Sequence, residues 1–395
     1  MKKIAFVTPW YGEEISGGAE AELRGLVHHL SDAGVELEVL TTCVYDFRSD
    51  WSVDYHPVGK SICAGIPVRR FPVRPRDTAA FDKVNAKLMS NQPITDKEEF
   101  TFQREMINSP SLYQYIAERE DQYSLFVFIP YMFGTTYYGV QACPQKSVLI
   151  PCLHDESYAY MKLFKKCFSQ PAGMIFYSEP EQILAQRLYD VYGNTFQNLG
   201  GGVDTSLRGE ADRFRRQYQV KEPFILYAGR KDAGKKVDVL LQYFTEFKQR
   251  NPSQLKLILL GGGTIDLPSD DIIDLGFVPV QDKYDAYTAA LAFCNPSQME
   301  SFSLVIMESW LAERPVLVNG ECSVTTDFVR KANGGLYYQN YAEFEKCLQY
   351  LFVNREISQQ MGKNGRNFVL NNFAWNVIVK KYMEYFRMIE SGITQ

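Results

Sequence analysis

Histidine is scarce in this 395-residue chain, with four copies. The eight cysteines (Cys43, Cys63, Cys143, Cys152, Cys167, Cys294, Cys322 and Cys347) are scattered without a CxxC pair. Zinc-site spacing is thereby excluded, and reduced thiols fit better than a disulfide framework. Long apolar runs are missing as well: no stretch approaches the roughly 18–20 residues that span a bilayer. The start "MKKIAFVTPWYGEE" begins like a secretory leader. Its apolar run stops at Pro9 and meets Glu13 and Glu14, so a cytoplasmic protein is expected. Nor is one sign of charge in excess. With 42 Lys+Arg against 47 Asp+Glu, the net charge of -5 argues against a nucleic-acid-binding surface spread over the molecule. Low-complexity tracts and internal repeats are absent.

What is present is a soluble globular composition, 46% hydrophobic and 23% charged, in a chain long enough for about two domains. "KIAFVTP" reads as a buried strand. "SGGAEAELRGLVHHLSDAG" supplies a glycine turn and a helix with Ala19, Leu23, Leu26, Val27 and Leu30 on one face, and "VELEVLTTC" is the next strand. Strand, glycine turn, helix, strand is a βαβ unit, which requires a parallel sheet. The rhythm loosens from Gly65 to Glu120, resumes with "YSLFVFIP", "KSVLIPCLHD" and "PAGMIFYS", and restarts after "NLGGGVD". "PFILYAGR", "LKLILLGGG", "AFCNPS" and "PVLVNG" are then strands alternating with helices. Two doubly wound α/β domains with a cleft between them are expected, residues 1–200 and 201–375, with a C-terminal helix of about 376–395 able to cross back to the first.

In "YAGRKDAGKK" a strand gives way to a helix, and the side chains supply Arg230, Lys231, Lys235 and Lys236. Cations at a strand's carboxyl end beside a helix start suit a diphosphate. The alternative is a lysine-rich loop in solvent. It is not a Walker A loop, because Lys236 stands where Ser or Thr is needed. "LGGG" at 260–263 reads as a tight turn that also lets another backbone approach.

"SQMESFSLVIMES" puts Glu300 and Glu308 eight residues apart around an apolar stretch. Following the strand "AFCNPS", Glu300 to Ser303 form a loop, and a helix begins near Ser303, a good N-cap residue whose surroundings favour an anion. Glu308, inside that helix, cannot bind phosphate but can accept two hydrogen bonds from a vicinal diol. Cations for phosphates, a glutamate for hydroxyls and a helix start together describe a nucleotide-sugar site.

In this order, "YAGRKDAGKK", "LGGG", "GFV" (276–278), "NPSQMESFSLVIMESW" and "PVLVNG" resemble the retaining glycosyltransferases of family 4, with the GT-B architecture of two Rossmann-like domains facing across a cleft. "SGGAEAEL", "CLHDE" and "GGVD" extend the resemblance through the first half. It implies that Arg230 and Lys235 hold the donor diphosphate and that Glu308 binds the ribose hydroxyls. Glu300 then lies beside the transferred sugar, and Phe302, Ser303, Leu304 and Val305 offer backbone N–H groups. Phe277 and Val278 meet the base, Gly17 and Gly18 form a glycine loop by the donor phosphates, and His154 contacts the donor sugar. A lone histidine after a buried strand is otherwise a structural residue. The implied reaction is hexosyl transfer, with retention, from a UDP- or GDP-linked sugar to a glycan or lipid-linked acceptor, as in bacterial surface polysaccharide synthesis. Neither cofactor nor metal is implied, and no Asp-x-Asp site is present. An epimerase or phosphorylase on the same fold, or a silent partner of another transferase, are the rivals.

The chain departs from the family pattern at Ser301 and Ser303, where glycines are usual, at Lys236, where glycine usually follows the lysine, and at "GGVD" for "NGVD". Two segments could touch anionic lipid at the membrane's cytoplasmic face: "IPVRRFPVRPR", and "SYAYMKLFKKCF" with Tyr158, Met161, Phe164 and Phe168 against Lys162, Lys165 and Lys166. A surface loop and a helix packed on the sheet are the plainer readings.

Overall fold

The structure is a computed structural model that describes residues 2–15, 17–193, 195–231 and 233–393; Ser16 and Asp232 of the quoted motifs and the last two residues of the C-terminal segment lie outside them. The chain divides into two compact units, residues 1–202 with 378–395, and residues 203–377.

The first unit is built on an eight-stranded sheet. Its strands are β1 (Lys3–Val7), β2 (Leu37–Thr42), β3 (Gly59–Cys63), β4 (Ile66–Phe71), β5 (Tyr123–Phe128), β6 (Ser147–Leu149), β7 (Gly173–Phe176) and β8 (Phe196–Asn198), in the order β3-β4-β2-β1-β5-β6-β7-β8. All pairs are parallel except β3 with β4. Helices cover both faces of a parallel sheet, so its central strands read as unbroken apolar runs. Ile4 to Val7 and Leu125 to Phe128 are accordingly sealed from solvent. The looser stretch after Gly65 contains β4 and the helices Thr78–Met89, Asp96–Glu105 and Pro110–Glu118.

The second unit has a six-stranded, all-parallel sheet. Its strands β9 (Phe224–Ala228), β10 (Lys256–Leu260), β11 (Ile272–Asp274), β12 (Ala292–Asn295), β13 (Val316–Asn319) and β14 (Gly335–Tyr338) run β11-β10-β9-β12-β13-β14. This is the doubly wound order in which the chain reverses direction of travel between β9 and β12. A ligand crevice opens outside the carboxyl ends of the strands at such a reversal. The first unit has its own reversal between β1 and β5.

The helix Trp375–Ile393 leaves the second unit and packs in the first. Ile378, Tyr382, Tyr385, Phe386 and Ile389 are buried, and the Tyr385 hydroxyl donates to the Thr195 carbonyl at 2.7 Å. A Cβ on Gly173 of β7 would lie 2.1 Å from that hydroxyl, so only glycine lets the helix lie so close. Among the described residues no helix is long and apolar enough to cross a membrane. Met161, Phe164 and Phe168 are buried in the first unit's core, which corrects the lipid-facing reading of that segment: its apolar face is used in packing.

Candidate functional site

The expected donor residues of the second unit gather at the β9/β12 reversal. Gly229 to Lys235 follow β9, and Pro296 to Ser303 follow β12. Lys235 Nζ lies 2.7 Å from Glu300 Oε1, and both side chains are largely covered. Arg230 is exposed, and its carbonyl accepts the Tyr227 hydroxyl at 2.6 Å. The loop after β12 is pinned by Phe302, whose ring is buried edge-on against Phe328 and Phe373 at 5.7 and 5.0 Å. The backbone of Phe302 is therefore fixed while its side chain is spent on packing.

The helix after this loop is Leu304–Leu311. Its first-turn N–H groups, those of Leu304 and Val305 among them, have no acceptor within the helix. Ser303 stands at the N-cap position, but its side chain caps nothing, contrary to the expectation. With φ of 70° its backbone is left-handed, and its hydroxyl accepts from Asn295 Nδ2 at 3.0 Å instead.

Glu308 lies on the same helix with both oxygens engaged. Lys283 Nζ is 2.6 Å from Oε1, and the Tyr287 hydroxyl donates to Oε2 at 3.0 Å. The sequence reading missed Lys283 and Tyr287. Their four-residue spacing puts them on one face of the helix Val280–Ala289, but nothing in the sequence links that face to Glu308. A carboxylate has about four acceptor directions, so a diol can still be accepted beside these two donors.

Of the four cations in "GRKDAGKK", Lys231 must be removed from the diphosphate set. Its side chain is 1% exposed, and Nζ is held by Asp274 Oδ1 at 2.8 Å and by the Gly261 carbonyl. The glycines 261–263 serve the same junction. A Cβ on Gly261 would meet the Gly229 carbonyl oxygen at 2.2 Å, and one on Gly263 would meet the Lys231 backbone at 2.9 Å. Lys231 N donates to the Gly262 carbonyl at 2.7 Å, so the two loops are laced together. Phe277 is 72% exposed, with its ring over Gly262, and Val278 is half-buried next to it.

The remaining expected residues lie in the first unit. Gly17 precedes the helix Gly18–Asp32 with φ of 148°, and a Cβ there would meet the Glu20 carboxylate at 2.0 Å. His154, after β6, is half-buried with Nδ1 3.7 Å from Glu156 Oε1. The carboxyl group of Glu181 accepts from the Leu153 and Tyr177 amides at 2.6 and 2.7 Å. Burial pushes it up to about 7 despite those bonds. Among the described residues no three His, Cys, Asp or Glu side chains cluster to hold a metal ion.

Known proteins share this framework. Residues 209–368 match the family described as glycosyl transferases group 1. A putative glycosyltransferase of Bacillus subtilis, YtcC, is 24% identical over 207 residues, 47% of this chain and 50% of its own. The chain spans about half the length of the curated relatives it matches. Sucrose-phosphate synthase from Thermosynechococcus elongatus superposes with a TM-score of 0.71 at 18% identity, covering 99% of this chain and 100% of that one. Alr3699/HepE from Anabaena, in complex with UDP, does so with a TM-score of 0.70 at 15% identity, covering 98% and 100%. The fold is therefore the GT-B one, two Rossmann-like α/β domains.

Proposed function

We propose that this chain is a retaining glycosyltransferase that moves a hexosyl group from a nucleoside diphosphate sugar to an acceptor hydroxyl. The observation that carries the reading is the Lys235–Glu300 pair at the β9/β12 reversal, with Glu308 one helix segment further on. The match to group 1 glycosyl transferases and the likeness to a protein solved with UDP support it.

In this reading the bond from the anomeric carbon to the diphosphate oxygen breaks while a bond to the acceptor oxygen forms on the same face. The acceptor's proton passes to a donor phosphate oxygen. The chain's chief task is to stabilise the leaving diphosphate. Arg230 and Lys235 supply positive charge, and the first-turn amides of the helix Leu304–Leu311 add dipole stabilisation. No divalent ion is then required, and turnover should persist in chelator. Lys283 and Tyr287 hold the Glu308 carboxylate, which accepts from the ribose diol. Glu300, paired with Lys235 in this state, turns to the sugar as the lysine turns to phosphate. The roles of Gly17, Gly18 and His154 rest on the family resemblance, as does an acceptor in surface polysaccharide synthesis.

The test is donor hydrolysis and transfer by the purified chain over a panel of UDP- and GDP-sugars, repeated on Arg230→Ala and Lys235→Ala. Each variant should lose roughly 10²–10³ in kcat, the effect of removing one transition-state donor. Near-normal turnover in both would sink the assignment.

A further inference from the structure

Arg70 of β4 is an interior arginine with no carboxylate partner among the described residues. It is 7% exposed, and Nη2 donates to the Tyr11 carbonyl at 2.9 Å. Nη1 is buried and has no acceptor among the described residues. The titratable groups facing the guanidinium are Tyr11, Cys43, Cys63 and His56. Burial pushes the Cys43 thiol up to about 11 and the Tyr11 phenol higher still, so both are uncharged at neutral pH. Burial and the Arg70 charge also hold the His56 imidazole below its ordinary value, and its Nε2 is a second buried nitrogen without a partner among the described residues. The nearby Asp54 is engaged elsewhere, where it accepts from the Val73 amide at 2.9 Å. Buried charges are otherwise paired, because desolvating one against neutral groups is costly.

The position of this cation is as telling as its isolation. Tyr11 follows β1, Cys43 follows β2 and Arg70 lies one residue from the end of β4. Tyr55 and His56 both donate their amides to the Cys43 carbonyl, at 2.8 and 2.9 Å. The cluster thus sits at the carboxyl ends of parallel strands, the edge at which doubly wound sheets receive ligands. Along residues 43–56, Tyr45, Phe47 and Tyr55 are between 41% and 52% exposed, and the Tyr45 ring lies 5.8 Å from that of His56.

We propose that Arg70 and His56 form a recognition centre for an oxyanion, a phosphate or carboxylate, carried by the acceptor. Two charge-assisted hydrogen bonds, from Nη1 and from the imidazole, would satisfy both orphaned nitrogens and neutralise the guanidinium. Both nitrogens are sealed from solvent in this state, so an anion enters only as the side chains around them move; the exposed aromatic side chains of the 43–56 segment would then meet the rest of the acceptor. That the anion belongs to an acceptor rests on the transferase reading above; that an anion binds does not.

With only four histidines in the chain, imidazole NMR of the full-length protein reads the site directly. The resonance of His56 is assigned by its loss in His56→Gln, and the wild type is titrated at constant ionic strength with inorganic phosphate and, separately, with acetate. A saturable shift of His56 alone, with a rise in its pKa, is expected for at least one anion, and the anion that acts tells phosphate from carboxylate. Arg70→Gln, which can keep the bond to the Tyr11 carbonyl, should weaken that response roughly tenfold or more. A His56 signal indifferent to both anions, or a drift shared by all four histidines, overturns the proposal. Should Arg70→Gln fold poorly, the wild-type titration still decides. Nucleotide binding to the same sample, measured independently, separates failure of this centre from failure of the donor reading.

Discussion

Ser303 and Lys236 hold backbone conformations that cost an L-residue about 1–2 kcal/mol. Their φ angles are 70° and 55°, and each immediately precedes a helix at the carboxyl edge of the second sheet. Glycine is usual at both positions in the family this chain resembles, and the left-handed geometry is the physical reason. The two sites differ in compensation. Ser303 is held by Asn295, itself buried, whereas the Lys236 side chain makes no hydrogen bond or ion pair among the described residues. Lys236→Gly should therefore stabilise the protein by about 1 kcal/mol. In Ser303→Gly the relief is offset by roughly 1 kcal/mol for the lost bond to Asn295. Urea midpoints for the two variants check this; equal gains would show that Asn295 contributes nothing.

At the scale of elements, the laced loops after β9 and β10 bury Lys231 on Asp274 and leave Arg230 exposed. Lys231→Ala leaves the Gly261 carbonyl without its lysine and Asp274 with the Gly276 amide alone among the described residues, in a partly covered site. It should cost roughly 2–4 kcal/mol of stability, with turnover per folded molecule unchanged. Arg230→Ala should do the reverse. Thermal melts beside kcat for both variants distinguish the two cases, and an inactive but fully stable Lys231→Ala would return that residue to the diphosphate set. In sequence Lys231 is indistinguishable from its cationic neighbours, because its direction is set by a strand more than twenty-five residues later. Strands buried on both faces were legible for the opposite reason: β9 is apolar throughout, and β1, β5 and β10 are apolar but for Lys3, Ser124 and Lys256 at or next to their first residue. By contrast β3 is largely exposed and β8 only partly buried, and the arginines of β4 disguise its alternation. The glutamate pair was legible through its spacing. The Lys283 and Tyr287 grip on Glu308 was not, since it depends on how two helices lie together.

Across the whole molecule, the first unit carries acids that oppose folding at alkaline pH. Glu22 of the first helix is buried against Gly201, where a Cβ would come within 2.9 Å of its carboxylate. It accepts from the Gly202 amide at 2.6 Å, while Oε2 has no partner among the described residues. Glycine in place of the usual asparagine at 201 thus makes the room that Glu22 occupies. Burial pushes this carboxyl up to about 8, partly countered by the Gly202 hydrogen bond. The folded state therefore keeps a proton that the unfolded chain releases. The associated stability is complete below about pH 4.5 and is lost as pH rises through about 8. Glu22→Gln should melt a few degrees above wild type at pH 8 and level with it near pH 4.5; parallel melting curves at both pH values would mean that the carboxyl titrates normally. The donor site itself is tested most directly by calorimetric titration of the full chain with UDP and with GDP, in wild type and in Glu308→Ala. One nucleotide is expected to bind in the micromolar range and to lose about tenfold or more in the variant, as two hydrogen bonds from the ribose diol to a carboxylate require. Equal affinity in wild type and variant, or no binding of either nucleotide, would contradict a nucleoside diphosphate seated on Glu308.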